Sequence, residues 1–114
     1  MRIIRISFFI RNNILNSLRG WNVGKGTHFD CMFKYCYKLT SLEPLSSWDT
    51  RNGQDFRWMF YNTSIKDGRA LSKWNVGKGQ SFKAMFGKNG MNKDMLPKNL
   101  KDKNEILSDK NWFE

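Results

Sequence analysis

Trp21-Asn22-Val23-Gly24-Lys25-Gly26-Thr27-His28-Phe29-Asp30-Cys31-Met32-Phe33 is spelled twice more, with changes, at Trp48–Phe60 and Trp74–Phe86. Each copy runs Trp, Asn or Asp, a β-branched residue, two residues, Gly, two residues, Phe, two residues and Met-Phe. The first and third copies agree at nine of thirteen positions, and the three Trp residues are 27 and 26 apart. A fixed period of that length marks a repeat architecture, in which each unit buries its apolar face on the next.

Upstream of each Trp, Leu18, Leu45 and Leu71 lie three residues away. The spacing of three continues as Leu39-Leu42-Leu45-Trp48 in the second copy, as Leu15-Leu18-Trp21 in the first and as Ile65-Leu71-Trp74 in the third, where Gly68 fills the remaining slot. These stretches are short and broken by Ser, Gly and Pro, so they predict one extended segment per copy, stacked in parallel. Gly26, Gly53 and Gly79 share the slot five after each Trp. That slot calls for positive φ or a close backbone approach. Phe29-Met32-Phe33, Phe56-Met59-Phe60 and Phe82-Met85-Phe86 then follow an i, i+3, i+4 spacing, which predicts one apolar face of a short helix. The expected fold class is therefore an α+β repeat solenoid. Each unit would be a short parallel strand, a Gly turn and a short helix, returning through loops such as Asn62-Thr63-Ser64 and Gly87-Lys88-Asn89-Gly90.

The ends differ from the middle. Ile4, Ile6, Phe8 and Ile10 alternate with Arg5, Ser7, Phe9 and Arg11, a strand pattern. The expected organisation is a capping strand at 1–14, a three-repeat solenoid at 15–90 and a C-terminal cap at 91–114, with a helix around Lys101–Leu107. A length of 114 residues with nine Phe and five Trp suits one domain with a real core. The N-terminal run Ile6–Ile10 is short, contains Ser7 and lacks a small-residue cleavage site, so no signal peptide is expected. No stretch approaches the ~20 apolar residues of a membrane span. The two Cys form no disulfide framework. A cytoplasmic protein without a membrane partner is the resulting expectation.

The net charge is +10. Residues 1–20 carry four Arg and no acid, and residues 21–87 carry ten basic and five acidic side chains. Such an excess favours an anionic partner. Arg51, Arg57, Lys78 and Lys83 fall at neighbouring slots of successive copies, so stacking would draw them into a basic ladder. Trp58 and Tyr61, like Tyr35 and Tyr37, lie off the in-frame apolar slots and are candidates for exposure. Arg51, Arg57, Trp58, Tyr61, Lys78 and Lys83 form the expected partner-binding set, aromatic and Arg side chains being the usual anchors of interfaces.

Other motifs read as scaffold. Gly24-Lys25-Gly26 and Gly77-Lys78-Gly79 lack the gap and the Gly-Lys-Ser/Thr ending of a phosphate loop. His28, Cys31 and Cys36 lack a fourth metal ligand. A Cys31 nucleophile with His28 as base would need an oxyanion hole and a pocket that no motif announces. No enzyme, metal or cofactor is expected.

Leu39-Thr40-Ser41-Leu42, Leu45-Ser46-Ser47-Trp48-Asp49-Thr50 and Trp58-Met59-Phe60-Tyr61-Asn62 resemble the repeat of bacterial BspA-like leucine-rich-repeat surface proteins. The first and third copies resemble the same unit with Trp-Asn-Val-Gly-Lys-Gly in place of Trp-Asp-Thr-Ser, and Cys36 matches the Cys that often follows Met-Phe. The resemblance covers about residues 15–90. It implies parallel solenoid packing of leucine-rich-repeat character, with protein binding as the usual role. This chain departs from those adhesins in its three repeats, its lack of a signal or lipid-attachment Cys and its charge of +10. The departures point to a small inhibitor or adaptor from a phage or mobile element, such as an anti-CRISPR protein, with a protein or ribonucleoprotein complex as its partner. Direct contact with RNA or DNA, and a fragment of a surface adhesin, are the alternatives. Edge-to-edge homodimerisation is a further expectation.

Overall fold

A computed structural model of the protein describes residues 16–114. The expected capping strand at 1–14 lies outside the described residues. Within them the three copies stack in register, and the backbone shows how. Phe29, Cys31, Phe33 and Tyr35 donate their N–H groups to the carbonyls of Asp55, Arg57, Met59 and Tyr61 at 2.8–2.9 Å. Phe56, Trp58, Phe60 and Asn62 do the same to Ser81, Lys83, Met85 and Gly87. The intervening N–H groups close turns within each copy, as Met32 to the carbonyl of Phe29 and Met85 to that of Phe82.

The strand-based leucine-rich-repeat solenoid is overturned. Among the described residues there is no strand and no sheet; pairing of that type shrinks to isolated parallel bridges joining His28 to Asp55 and Asp55 to Ser81. The Leu-Leu-Trp spacing of three belongs to 3₁₀ turns, which bond every third residue. Such turns span Asn16–Gly20, Glu43–Leu45 and Arg69–Leu71, with a fourth at Lys93–Met95. Leu45 donates to Leu42 and Trp48 to Leu45, as Leu71 does to Gly68 and Trp74 to Leu71. The Phe-Met-Phe segments are not helices either. Cys31, Trp58 and Ala84, one slot before Met-Phe, have φ of 60°, 54° and 53°. A right-handed helix cannot pass through such residues. Positive φ at the third position is the mark of a type II turn. The i, i+3, i+4 spacing therefore reflects linked turns, whose apolar side chains still share one side.

That side is a column of rings. Phe29, Phe56 and Phe82 stack with centroids 5.5 and 5.1 Å apart, and Phe33, Phe60 and Phe86 at 5.7 and 5.6 Å. All six are buried. Trp48 and Trp74 lock each copy to the one before it: their indole N–H groups donate to the carbonyls of Leu18 and Leu45 at 2.7 and 2.8 Å. The in-frame Gly answers to close approach. A Cβ at Gly53 would overlap the Phe56 ring, and one at Gly79 would lie 2.7 Å from Cε1 of Phe82.

The one α-helix among the described residues, α1, spans Lys98–Ile106. With the residues after it, α1 closes the stack by imitating a further copy. Asn99 Nδ2 donates to the carbonyls of Leu71 and Trp74 at 3.0 and 2.7 Å, the role an indole plays elsewhere. Trp112 stacks on Phe82 at 4.4 Å and Phe113 on Phe86 at 6.1 Å. The N–H groups of Ala84 and Phe86 reach the carbonyls of Asn111 and Trp112. The described residues measure 36 × 33 × 21 Å.

Candidate functional site

The side of the linked turns that faces away from the ring column carries the most distinctive chemistry. Backbone pairing sets Cys31 against Arg57, Trp58 against Lys83 and Tyr35 against Tyr61. Three cations from three successive copies thereby gather at one indole. Lys34 Nζ lies 5.4 Å from the Trp58 ring centroid, Lys83 Nζ 5.7 Å and the Arg57 guanidinium carbon 5.9 Å. Lys34 also sits over Tyr35 and Tyr61 at 5.3 and 5.7 Å. Each such contact contributes about 0.5–1 kcal/mol when exposed. Tyr35 and Tyr37 flank the group and remain 45% and 60% exposed.

The cations differ in their partners. Arg57 grips Asp55 with both edges of its fork, Nε to Oδ1 at 2.9 Å and Nη2 to Oδ2 at 2.7 Å. Burial raises the Asp55 carboxyl, but the side-chain and backbone hydrogen bonds from Arg57, with its charge, outweigh burial and hold the group below its ordinary value. Lys34 and Lys83 form no ion pair among the described residues. Residues 1–15 contain no acidic side chain to supply one. Lys34 lies half-buried over its rings, and Lys83 is exposed beside the Trp58 ring.

Of the six residues expected to bind a partner, the turns bring Arg57, Trp58, Tyr61 and Lys83 together. Arg51 and Lys78 belong to a separate network at the Gly turn. Arg51 pairs with Asp49 at 3.1 Å, while Lys78 donates to Asn52 Oδ1 at 3.1 Å and Asn52 in turn to the carbonyl of Gly24 at 2.7 Å. Lys34, which touches three rings, is the member that sequence reasoning missed. Its signal was the disagreement of one slot between copies, which holds Lys34, Tyr61 and Gly87.

The same register lines up His28, Asp55 and Ser81 through the two bridges. A nucleophile relay needs the imidazole between hydroxyl and carboxylate. Here the carboxylate is central and is taken by Arg57, while His28 Nδ1 meets Thr27 Oγ1 at 2.8 Å. Burial raises the Cys31 thiol above its ordinary value, and the nearby charge of Lys34 opposes this only in part. Such a Cys is held as the unreactive thiol. Among the described residues no group of three or more His, Cys, Asp or Glu could hold a metal ion, and no helix is long and apolar enough to cross a membrane.

These features define a repeat protein built from stacked turns, with cations and aromatic rings concentrated on one face. The chain belongs to the family described as "Mycoplasma protein of unknown function, DUF285", whose model matches residues 3–102. That match supports kinship with BspA-related repeat proteins. No curated protein and no solved structure matches the chain.

Proposed function

We propose that the chain is a non-enzymatic binding module that holds an acidic protein surface against Lys34, Arg57, Trp58, Tyr61 and Lys83. The observation that carries this reading is the pair of ammonium groups, Lys34 and Lys83, set on the Trp58 ring without a carboxylate partner. The ring holds the charges at low cost in desolvation and leaves their hydrogen-bond donors for a ligand. Binding of single-stranded nucleic acid needs free ring faces for bases. The Trp58 ring already carries cations, which favours the acidic protein over that alternative. An inhibitor or adaptor working in a bacterial cytoplasm, an anti-CRISPR protein among them, is one form of such a module. A surface adhesin, the other role implied by the BspA-like kinship, would use the same face.

The test is titration with polyglutamate, followed by Trp fluorescence, beside an oligonucleotide of matched charge. Polyglutamate should quench Trp58 and bind more tightly than the oligonucleotide. The combined Lys34→Glu and Lys83→Glu substitution should abolish the effect while the chain stays folded, with the parent's far-ultraviolet dichroism and a melting temperature lowered only by the lost ring contacts. Tighter binding of the oligonucleotide would replace this reading with nucleic-acid recognition. Charge reversal at Arg57 is a poorer probe, because it would also strand Asp55.

A further inference from the structure

We infer that Tyr35, Trp58 and Tyr61 form a cage for a quaternary ammonium group, with Lys34 as the internal occupant that such a ligand displaces. This ligand is distinct from the acidic partner above, and either can fail without the other. The three rings converge on one nitrogen: Lys34 Nζ lies 5.3 Å from the centroid of Tyr35, 5.4 Å from that of Trp58 and 5.7 Å from that of Tyr61. Tyr61 meets Tyr35 edge-on at 5.8 Å, so the rings stand at an angle to one another around that nitrogen. Lys83 and Arg57 approach Trp58 alone among the three.

Lys34 is a poor match to its own surroundings. A primary ammonium carries three N–H donors. Among the described residues no acceptor takes a hydrogen bond or ion pair from Lys34. Ring faces attract positive charge, and they recognise quaternary ammonium groups, which have no N–H to satisfy. The distances argue the same way. Non-bonded heavy atoms meet at about 3.5–4.0 Å. At 5.3–5.7 Å, Lys34 Nζ stands back from each ring by roughly one N–C bond, about 1.5 Å. A nitrogen at that point bearing methyl groups would set a methyl against each ring. Tyr35 is 45% exposed and Lys34 only half-buried, so the cage has a side open to exchange. One cation leaves as the other enters, so repulsion from Arg57 and Lys83 is not increased.

The experiment titrates the full chain with choline and with 3,3-dimethylbutanol, its neutral isostere, at constant ionic strength. Binding is read from the Trp58 indole N–H resonance. Choline should shift that resonance, and 3,3-dimethylbutanol should not. Lys34→Ala should bind choline about tenfold tighter than the parent, because a tethered competitor has been removed. Lys34→Gln, which keeps the stem, should show the same direction of change if Ala disturbs the turn. Adding Tyr35→Leu at its exposed position should undo the gain. Free phosphocholine and phosphatidylcholine vesicles then separate a soluble ligand from a lipid headgroup, and binding of either supports the cage. Equal binding of choline and its neutral isostere would overturn it, since charge would then play no part. So would choline affinity that is unchanged in both Lys34 variants, or that survives loss of the Tyr35 ring. Failure of polyglutamate to bind would overturn only the acidic partner.

Discussion

Among the described residues, Cys31, Trp58 and Ala84 in one slot and Tyr35, Asn62 and Lys88 in another have positive φ without being Gly. Left-handed backbone costs an L-residue about 1–2 kcal/mol, so this geometry persists only because the stack over-determines it. Lys88 gains least in return: it is exposed at φ 61° and takes no side-chain hydrogen bond. Lys88→Gly should therefore stabilise the chain by about 0.5–1 kcal/mol, the left-handed strain less the added entropy of Gly in the unfolded chain. A melting temperature unchanged or lowered would show that the strain is not felt there. Gly53 tests the opposite case. Gly53→Ala should cost about 1–3 kcal/mol, because the new methyl must displace the buried Phe56 ring. The in-frame Gly was legible as a special backbone position; that the reason was a ring three residues on, and not positive φ, required the turn to be seen.

The Asp55–Arg57 pair adds a pH dependence at the same scale. The Asp55 carboxyl titrates lower folded than its ordinary value of 3.8, so the folded state binds this proton less readily than the unfolded chain. The linked stability is present above pH 3.8 and is lost as pH falls through the depressed folded value. Asp55 is 13% exposed and Arg57 44%, so solvent screening keeps the contribution modest, on the order of 1 kcal/mol or less. Urea unfolding at pH 6 and at about pH 3 should show a smaller acid loss in Asp55→Asn than in the parent, since protonation of this side chain then has no counterpart.

At the level of elements, the cap explains how a three-copy stack ends. Trp112 is fully buried on Phe82, in the position a fourth Phe would take, yet its indole Nε1 finds no partner among the described residues. The indole N–H is thus a cost that the ring's contacts must exceed. Trp112→Ala should destabilise by about 3–5 kcal/mol, as truncation of a buried aromatic does. Trp112→Phe should fall well short of that, since it keeps a stacked ring and removes an unsatisfied donor worth about 1–3 kcal/mol. Equal losses in the two variants, measured by urea titration, would deny the imitation. The apolar end was visible in the sequence as Trp112-Phe113. Its role was not, because Trp112 and Phe113 are adjacent whereas Phe82 and Phe86 lie four apart, and only spatial register joins the two columns. The repeat elements themselves misled for a related reason. Spacings of three and of three-then-four residues are shared by helices and by chains of tight turns, and periodicity reports which side chains face inward without reporting φ.

Across the whole molecule, stability rests on contacts between copies. Phe56 stacks on Phe29 before it and on Phe82 after it, and leans on Trp74 at 6.2 Å. The binding face depends on the same register, since Lys34, Trp58 and Lys83 meet only when three copies are aligned. This explains why the sequence disclosed a basic, aromatic chain but placed Arg51 and Lys78 with the wrong neighbours: slot numbers order residues along the stack, and the lean of each side chain across it comes from turn geometry. In repeat proteins stability is close to a sum of unit and interface terms. A domain of this size has about 5–15 kcal/mol in total, and truncating one buried Phe removes about 3–5 of it. Phe56→Ala opens both interfaces of the middle copy at once, so neither flank retains enough burial to stand alone. The variant should therefore unfold in one transition, shifted to lower denaturant, with far-ultraviolet dichroism and Trp fluorescence coinciding. Because Lys34 and Lys83 flank that middle copy, affinity for an acidic ligand should vanish along the same curve. Separate transitions for the two signals would mean that the outer copies fold without the middle one, and the face would then not report on the integrity of the whole stack.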